Sequence, residues 1–511
     1  MSDNSILNGL KGNTNYKYTE NGALAHKTTL DAVYDMFAFG GAYRKRSDAD
    51  CILLFKKAVE QNETLAMKCL FYLRDIRGGQ GERRFFRVCF KWLCDNYPEV
   101  AKRNLDNVSE FGRWDDLIYA AADTKLEDYM LFKIKEQLVL DLDCKTPSLL
   151  GKWLPSENAS SYDTNKMGNK IRKYLKMTHK EYRKVLSTLR TRINIVEKLM
   201  SENRWDEIQF DKIPSRAGLI YKNAFARRDL IAQKYKEFIK SDETKVNTKA
   251  LYPYDVVAKA LEMVDWHGRM SDNFDNTDRL AVNKYWAQLP NYFENDNTSM
   301  LCVVDTSGSM TSGSGAAKPI NVAISLGLYA AERAKGAFKN HYISFASRPQ
   351  LIETSGVDFV DKVTRIYAKN LIDNTNLTAV FDLLKDMVIR GEAKAEDLPD
   401  RICVISDMEI DSGATDSYDS RGWSYSNSWT KEKAKTTMEK VREDWNRAGL
   451  KMPKLVYWNV DARDNTVLDL GPDVSLVSGA SASTFEMVMK DVTGIDLMLE
   501  KLNSKRYEIV K

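Results

Sequence analysis

The chain has 511 residues, 43% hydrophobic and 29% charged, with a formal net charge of +4. That is the composition of a soluble globular protein of several domains, and no apolar run approaches the roughly 20 residues of a membrane helix. Seven cysteines without a C-x-x-C, and four histidines with no pair at ligand spacing, give no sign of a disulfide framework or a zinc site.

Residues 1–24 are polar and lack the apolar core of a signal peptide, so a flexible N-terminal segment and a cytoplasmic location are expected. Charge divides unevenly beyond it. Residues 1–297 carry 49 Lys+Arg against 42 Asp+Glu, and residues 298–511 carry 27 against 30. The first part suits a polyanion and the second a cation.

Residues 25–297 read as helical throughout. Apolar residues recur at three- and four-residue spacing in "DADCILLFKKAVEQNETLAMKCLFYLRDI", "ERRFFRVCFKWLCDNY" and "RRDLIAQKYKEFIK", with turn signals such as "IRGGQGE", "EFGRWDD" and "DKIPSRAG" between them. Many helices with short turns predict an all-α, HEAT-like stack of helical hairpins, although no fixed-period repeat is present.

Three stretches of this part bear on binding. In "RDIRGGQGERRFF", Gly78, Gly79 and Gly81 allow a tight turn into a helix, crowded by Arg74, Arg77, Arg83 and Arg84. Backbone amides and arginines there suit a phosphate; a plain interhelix turn with solvated arginines is the alternative. Residues 166–198 hold eleven Lys or Arg against Glu181 and Glu197, among them Lys170, Arg172, Lys173, Lys176, Lys180, Arg183, Lys184 and Arg190. With Tyr174, His179 and Tyr182 interleaved, the run suits a nucleic-acid backbone with occasional base stacking; a solvated helix face is the alternative. Lys152, Arg216, Lys222, Arg227 and Arg228 either extend that basic surface or cap helices.

The character changes near residue 298. "SMLCVVD", "HYISFA", "RICVISD", "KLVYWNVDA" and "VSLVSGA" read as strands separated by helical stretches, which predicts an α/β, doubly wound parallel sheet over 298–511. Ligands of such sheets sit beyond the carboxyl ends of the strands. There Asp305, Ser307 and Ser309 form D-x-S-x-S, a cluster of oxygens suited to magnesium or to capping a loop. Thr375, before a helix, and Asp407, ending another strand, belong on the same rim.

This combination resembles the von Willebrand factor A domain with its metal-ion-dependent adhesion site, over roughly 299–511. The resemblance implies Ser307, Ser309 and Thr375 as ligands of Mg2+ or another divalent cation, with Asp305 and Asp407 in support. Thr378 is the substitute for Thr375, and Glu409 and Asp411 read as solvated loop acids. In that family the metal keeps a position for a partner's carboxylate, so an acidic protein partner is implied. "SGSGAAKP" is no phosphate-binding loop, because Pro319 follows Lys318, and no nucleotide cofactor or acid–base pair for an enzyme is apparent.

A basic helical module containing "RGGQGER" ahead of such a domain resembles the TROVE, or Ro-autoantigen-like, family. The motifs "GGQGER", "EFGRWDDL", "KWLPS", "YRKVLSTLR", "IPSRA" and "VVDTSGSM" resemble most closely an uncharacterised family of plants, fungi, bacteria and phages with this architecture. The TROVE resemblance implies a non-enzymatic RNA-binding protein, taking structured RNA or single-stranded ends. A metal-dependent protein-interaction scaffold without RNA is the alternative.

Overall fold

A computed structural model describes residues 14–264, 269, 271, 274–294, 297–345, 348–369, 376–411 and 435–511. The chain forms two compact units, neither continuous in sequence. One joins the residues up to Cys69 with Thr248–Ser504; the other joins Leu70–Asn247 with Lys505–Lys511. The compact units do not part at residue 297, where the sequence changes character: residues up to Cys69 and those from Thr248 onward share the unit that holds the sheet.

The first unit is built on a six-stranded sheet. Its strands are β3 (Met300–Asp305), β4 (His341–Phe345), β5 (Gln350–Glu353), β6 (Arg401–Ser406), β7 (Lys454–Asn459) and β8 (Val474–Ser478), in the order β5-β4-β3-β6-β7-β8. All neighbours are parallel except the edge strand β5, which runs antiparallel to β4. Every residue of β3 and β6 is buried, so both faces of the sheet are covered there. The helix Pro319–Arg333 packs on β3, β4 and β6. It comes close enough because residue 327 is glycine: a Cβ there would lie 2.5 Å from Val304 Cγ2. From β3 the chain goes first to β4 on one side, then to β6 on the other. The order therefore reverses at β3, and D-x-S-x-S lies at its carboxyl end, the position where sheets of this kind bind ligands.

Residues 14–69 belong to this unit. A hairpin of β1 (Tyr16–Tyr18) and β2 (Leu24–His26) bridges Gly22 to Asp411 and His26 to Val467. Thr19 Oγ1 donates to the Ile410 carbonyl at 2.6 Å. The expected flexibility of 1–24 does not hold for residues 14–24, because the hairpin takes its hydrogen bonds from the α/β unit. The helix Ala32–Phe39, capped by Asp31, is buried at every position from 33 to 39 and packs on β8. Tyr34 Oη accepts from the Leu476 amide at 2.9 Å.

The second unit contains helices and turns and no strand among the described residues. Its longest helices are Arg83–Asn96, Glu127–Asp143, Tyr162–Tyr174, His179–Arg192 and Ser215–Arg227. The "RGGQG" turn folds back on the helix Glu63–Arg74: the amides of Gln80, Gly81 and Glu82 donate to the carbonyls of Tyr72, Asp75 and Leu73. A Cβ at Gly79 would sit 1.9 Å from the Tyr72 carbonyl oxygen, so only glycine fits. The chain's last residues complete the unit. Tyr507 stacks on Phe111 with centroids 5.5 Å apart, and Arg506 pairs with Asp75.

Candidate metal centre and nucleic-acid interface

The end of β3 carries Asp305, fully buried. One carboxylate oxygen accepts from the Ser307 amide at 2.9 Å, the other from Ser406 Oγ at 2.5 Å. Burial, then the negative charge of Asp407, raises the Asp305 carboxyl to about 7. The Ser307 and Ser309 hydroxyls lie 3.0 Å apart. An octahedral magnesium with Mg–O of about 2.0–2.1 Å needs adjacent ligands about 2.9 Å apart, so this pair fits one edge. Thr306 Oγ1 bonds Ser344 Oγ at 2.9 Å, tying the loop to β4. Among the described residues no three His, Cys, Asp or Glu side chains cluster as metal ligands.

Asp407 is buried just past β6. Its carboxylate accepts from the Glu409 amide at 3.2 Å and from Arg463 Nη2 at 2.8 Å. Arg463 also reaches Glu20 at 2.8 Å. Neither residue stands out in the sequence, because nothing local links them to the D-x-S-x-S loop. Met408, between the two acids, has φ of +67°.

Several expectations need correction here. Glu409 is buried rather than solvated: it accepts from the Glu20 amide at 2.7 Å and from Thr466 Oγ1 at 2.9 Å, because the β1–β2 hairpin needs acceptors. Burial is the main cause that raises its carboxyl. Asp411 is half-buried and pairs with Gly22. Thr378 is buried and donates to Asn376 Oδ1 at 2.9 Å. Thr375 lies outside the described residues.

In the helical unit the basic residues separate into two groups. Lys170 closes on Glu127 and Asp123 at 2.7 and 3.1 Å. Arg172 pairs with buried Glu157 at 3.0 Å. Arg190 donates to the carbonyls of Gly151 and Leu154, each at 3.0 Å. Arg172 and Arg190 thus hold the loop 151–157, and Lys170 holds the start of the helix Glu127–Asp143. Lys173, Lys176, Lys180, Arg183 and Lys184 are exposed and form no ion pair among the described residues. Lys180, Arg183 and Lys184 share one face of the helix His179–Arg192, whose start is fixed by the Thr178–Glu181 capping box.

Tyr182 is buried and donates to the Pro155 carbonyl at 2.9 Å, so it is no stacking ring. Lys222 is also buried and extends no surface. At the glycine turn, the amides of Gln80, Gly81 and Glu82 are engaged internally and form no phosphate cradle. Arg77 pairs with Glu110 at 3.4 Å, and the Arg84 amide donates to Glu82 at 3.1 Å. Arg83 is exposed beside Arg87 and Arg113; burial of part of its side chain, then those charges, lower its pKa.

These units define a chain with a helical body and an α/β body. Residues 19–121 and 147–296 match the family described as Domain of unknown function (DUF2828), and residues 299–508 the one described as Domain of unknown function (DUF7788). The chain is similar to Uncharacterized protein L728 of Acanthamoeba polyphaga mimivirus, at 27% identity over 93% of this chain and 85% of that protein. It is also similar to the crystal structure of the Deinococcus radiodurans RO (RSR) protein, at 14% identity and a TM-score of 0.38, covering 93% of this chain and 99% of that one. No helix among the described residues is long and apolar enough to cross a membrane.

Proposed function

We propose that the protein is a non-enzymatic, Ro-like RNA-binding protein. In this reading the helical unit takes the RNA backbone. The α/β unit is of von Willebrand factor A type and holds Mg2+ at Ser307, Ser309 and Thr375, with Asp305 and Asp407 behind them, to capture an acidic side chain of a protein partner. The observation that carries the reading is the group Lys173, Lys176, Lys180, Arg183 and Lys184: five exposed cations on two consecutive helices and the turn between them, in no ion pair among the described residues. The order of the motifs along the chain supports it. Divalent-ion chemistry at the α/β site is supported by the paired serine hydroxyls and the buried carboxylate.

The test is a salt titration of binding to a labelled single-stranded RNA. Affinity is expected to fall steeply, with a log–log slope of about 0.7 for each phosphate neutralised. A flat response, or binding that depends on Ser307 and Ser309 but not on the lysines, favours the scaffold alternative.

A further inference from the structure

The helical unit contains a cavity of about 430 Å³ that neither the metal centre nor the basic row uses. Tyr119, Trp153, Lys91 and Lys166 line it. The Arg113 guanidinium lies 3.7 Å from the Trp153 ring centroid, and that of Arg87 lies 4.3 Å from the Tyr119 centroid. Both arginines are fixed in turn by Asp115: Arg113 Nε reaches it at 2.7 Å and Arg87 Nη2 at 2.8 Å. The rings are therefore set in place before any ligand arrives.

Charge decides what the cavity would take. Asp115 is neutralised by its two arginines, and Lys170 is closed on Asp123 and Glu127. Lys91 and Lys166 are exposed and form no ion pair among the described residues, and both lie close enough to Asp123 to help lower its carboxyl; exposed Asp163 lines the cavity as well. Two aromatic rings and two exposed ammonium groups outside any ion pair complement a flat heterocycle bearing a phosphate. The volume lies within the about 300–1,000 Å³ of small-molecule sites. Lys166 and Lys173 are seven residues apart on the helix Tyr162–Tyr174, hence on one face, so the cavity adjoins the start of the basic row.

We propose that this cavity takes one unstacked nucleotide, its base against Trp153 and Tyr119 and its phosphate at Lys91 and Lys166. Where the nucleotide belongs to a strand, the inference rests on the RNA reading; a free mononucleotide offers the same chemistry.

The test uses the full chain, a short single-stranded RNA carrying 4-thiouridine, and free UMP. Binding is followed by anisotropy, and photocrosslinks are mapped by mass spectrometry. Trp153→Ala is expected to weaken RNA binding about 10–100-fold. Because Trp153 also packs on Arg113, the double variant Lys91→Ala/Lys166→Ala, at two exposed positions, gives a second reading free of packing effects. Crosslinks at Trp153 or Tyr119, with both variants weakened, support the proposal. RNA bound equally by both variants and crosslinked only within 173–184 overturns the cavity and leaves the RNA reading standing. UMP bound through Lys91 and Lys166 with no RNA binding overturns the RNA reading and supports the cavity as a mononucleotide site. Binding of neither overturns both.

Discussion

Arg74 and Asp116 form a fully buried ion pair in which Nε, at 2.9 Å, and Nη2, at 2.5 Å, meet the same carboxylate oxygen. The other oxygen accepts from Arg87 Nε at 2.6 Å. Charges at this depth persist only as a set, since removing one leaves another unpaired away from water. Asp116→Ala is expected to destabilise the helical unit by about 3–5 kcal/mol. Urea denaturation followed by circular dichroism of the full chain measures it; a loss under about 1 kcal/mol contradicts the account.

If the D-x-S-x-S loop holds magnesium, added Mg2+ raises the melting temperature of the wild type and leaves Ser307→Ala/Ser309→Ala unchanged. The Asp305 carboxyl, raised to about 7 by burial and then by Asp407, sets the pH dependence. The ion needs the carboxylate, so binding displaces a proton and apparent affinity falls about tenfold per pH unit below about 7. Calorimetric titrations at about pH 8 and about pH 6 check the sign. Equal affinities at both would remove Asp305 from the site.

Reversing charge at Lys180, Arg183 and Lys184 is expected to weaken RNA binding and reduce the salt slope by about 2, three phosphates at about 0.7 each. Arg190→Ala is the contrasting variant. Its guanidinium holds the Gly151 and Leu154 carbonyls, so it lowers thermal stability and changes the salt slope little. Filter binding across a salt series separates the two effects.

Acid sensitivity of the α/β unit is expected at Asp358. Burial works to raise its carboxyl, but hydrogen bonds from Arg279, at 2.7 and 2.8 Å, from the Asp361 amide and from Asn283 outweigh it and hold the carboxyl at about 2. The stabilisation is complete above the ordinary aspartate value of about 4 and is lost as pH falls through about 2. Solvent reaches the pair, so its worth is about 1 kcal/mol. Asp358→Asn should lose this at neutral pH, with a melting temperature that changes less between about pH 5 and about pH 2.

Much of the α/β body is legible in the sequence. "MLCVVD" and "RICVIS" are short apolar runs ending on polar residues, and a parallel strand buried on both faces has that form. The edge strand β5, "QLIE", is not legible: three of its four residues are exposed, so no apolar run announces it. Around the candidate metal site, Asp305 and Asp407 could be placed from strand ends alone. Arg463 could not, because it meets Asp407 only after β7 has joined the sheet beside β6. In the basic run, composition could not distinguish Lys180 from Arg190. That difference depends on the loop 151–157, which supplies carbonyls to one and nothing to the other. Nor does any periodicity tie residues 14–69 or 505–511 to their distant partners.

The discontinuity of the α/β body bears on how the protein is made. Tyr34 finds its partner at Leu476 only 442 residues later. At about 5–20 residues per second a ribosome takes roughly 20–90 s to cover that stretch. Through that interval the helix Ala32–Phe39 can pack on the next helix, Asp48–Gln61, but the surface it lays on β8 stays uncovered. Translation halted before β8 therefore yields a product that lacks the strand on which one side of this helix packs.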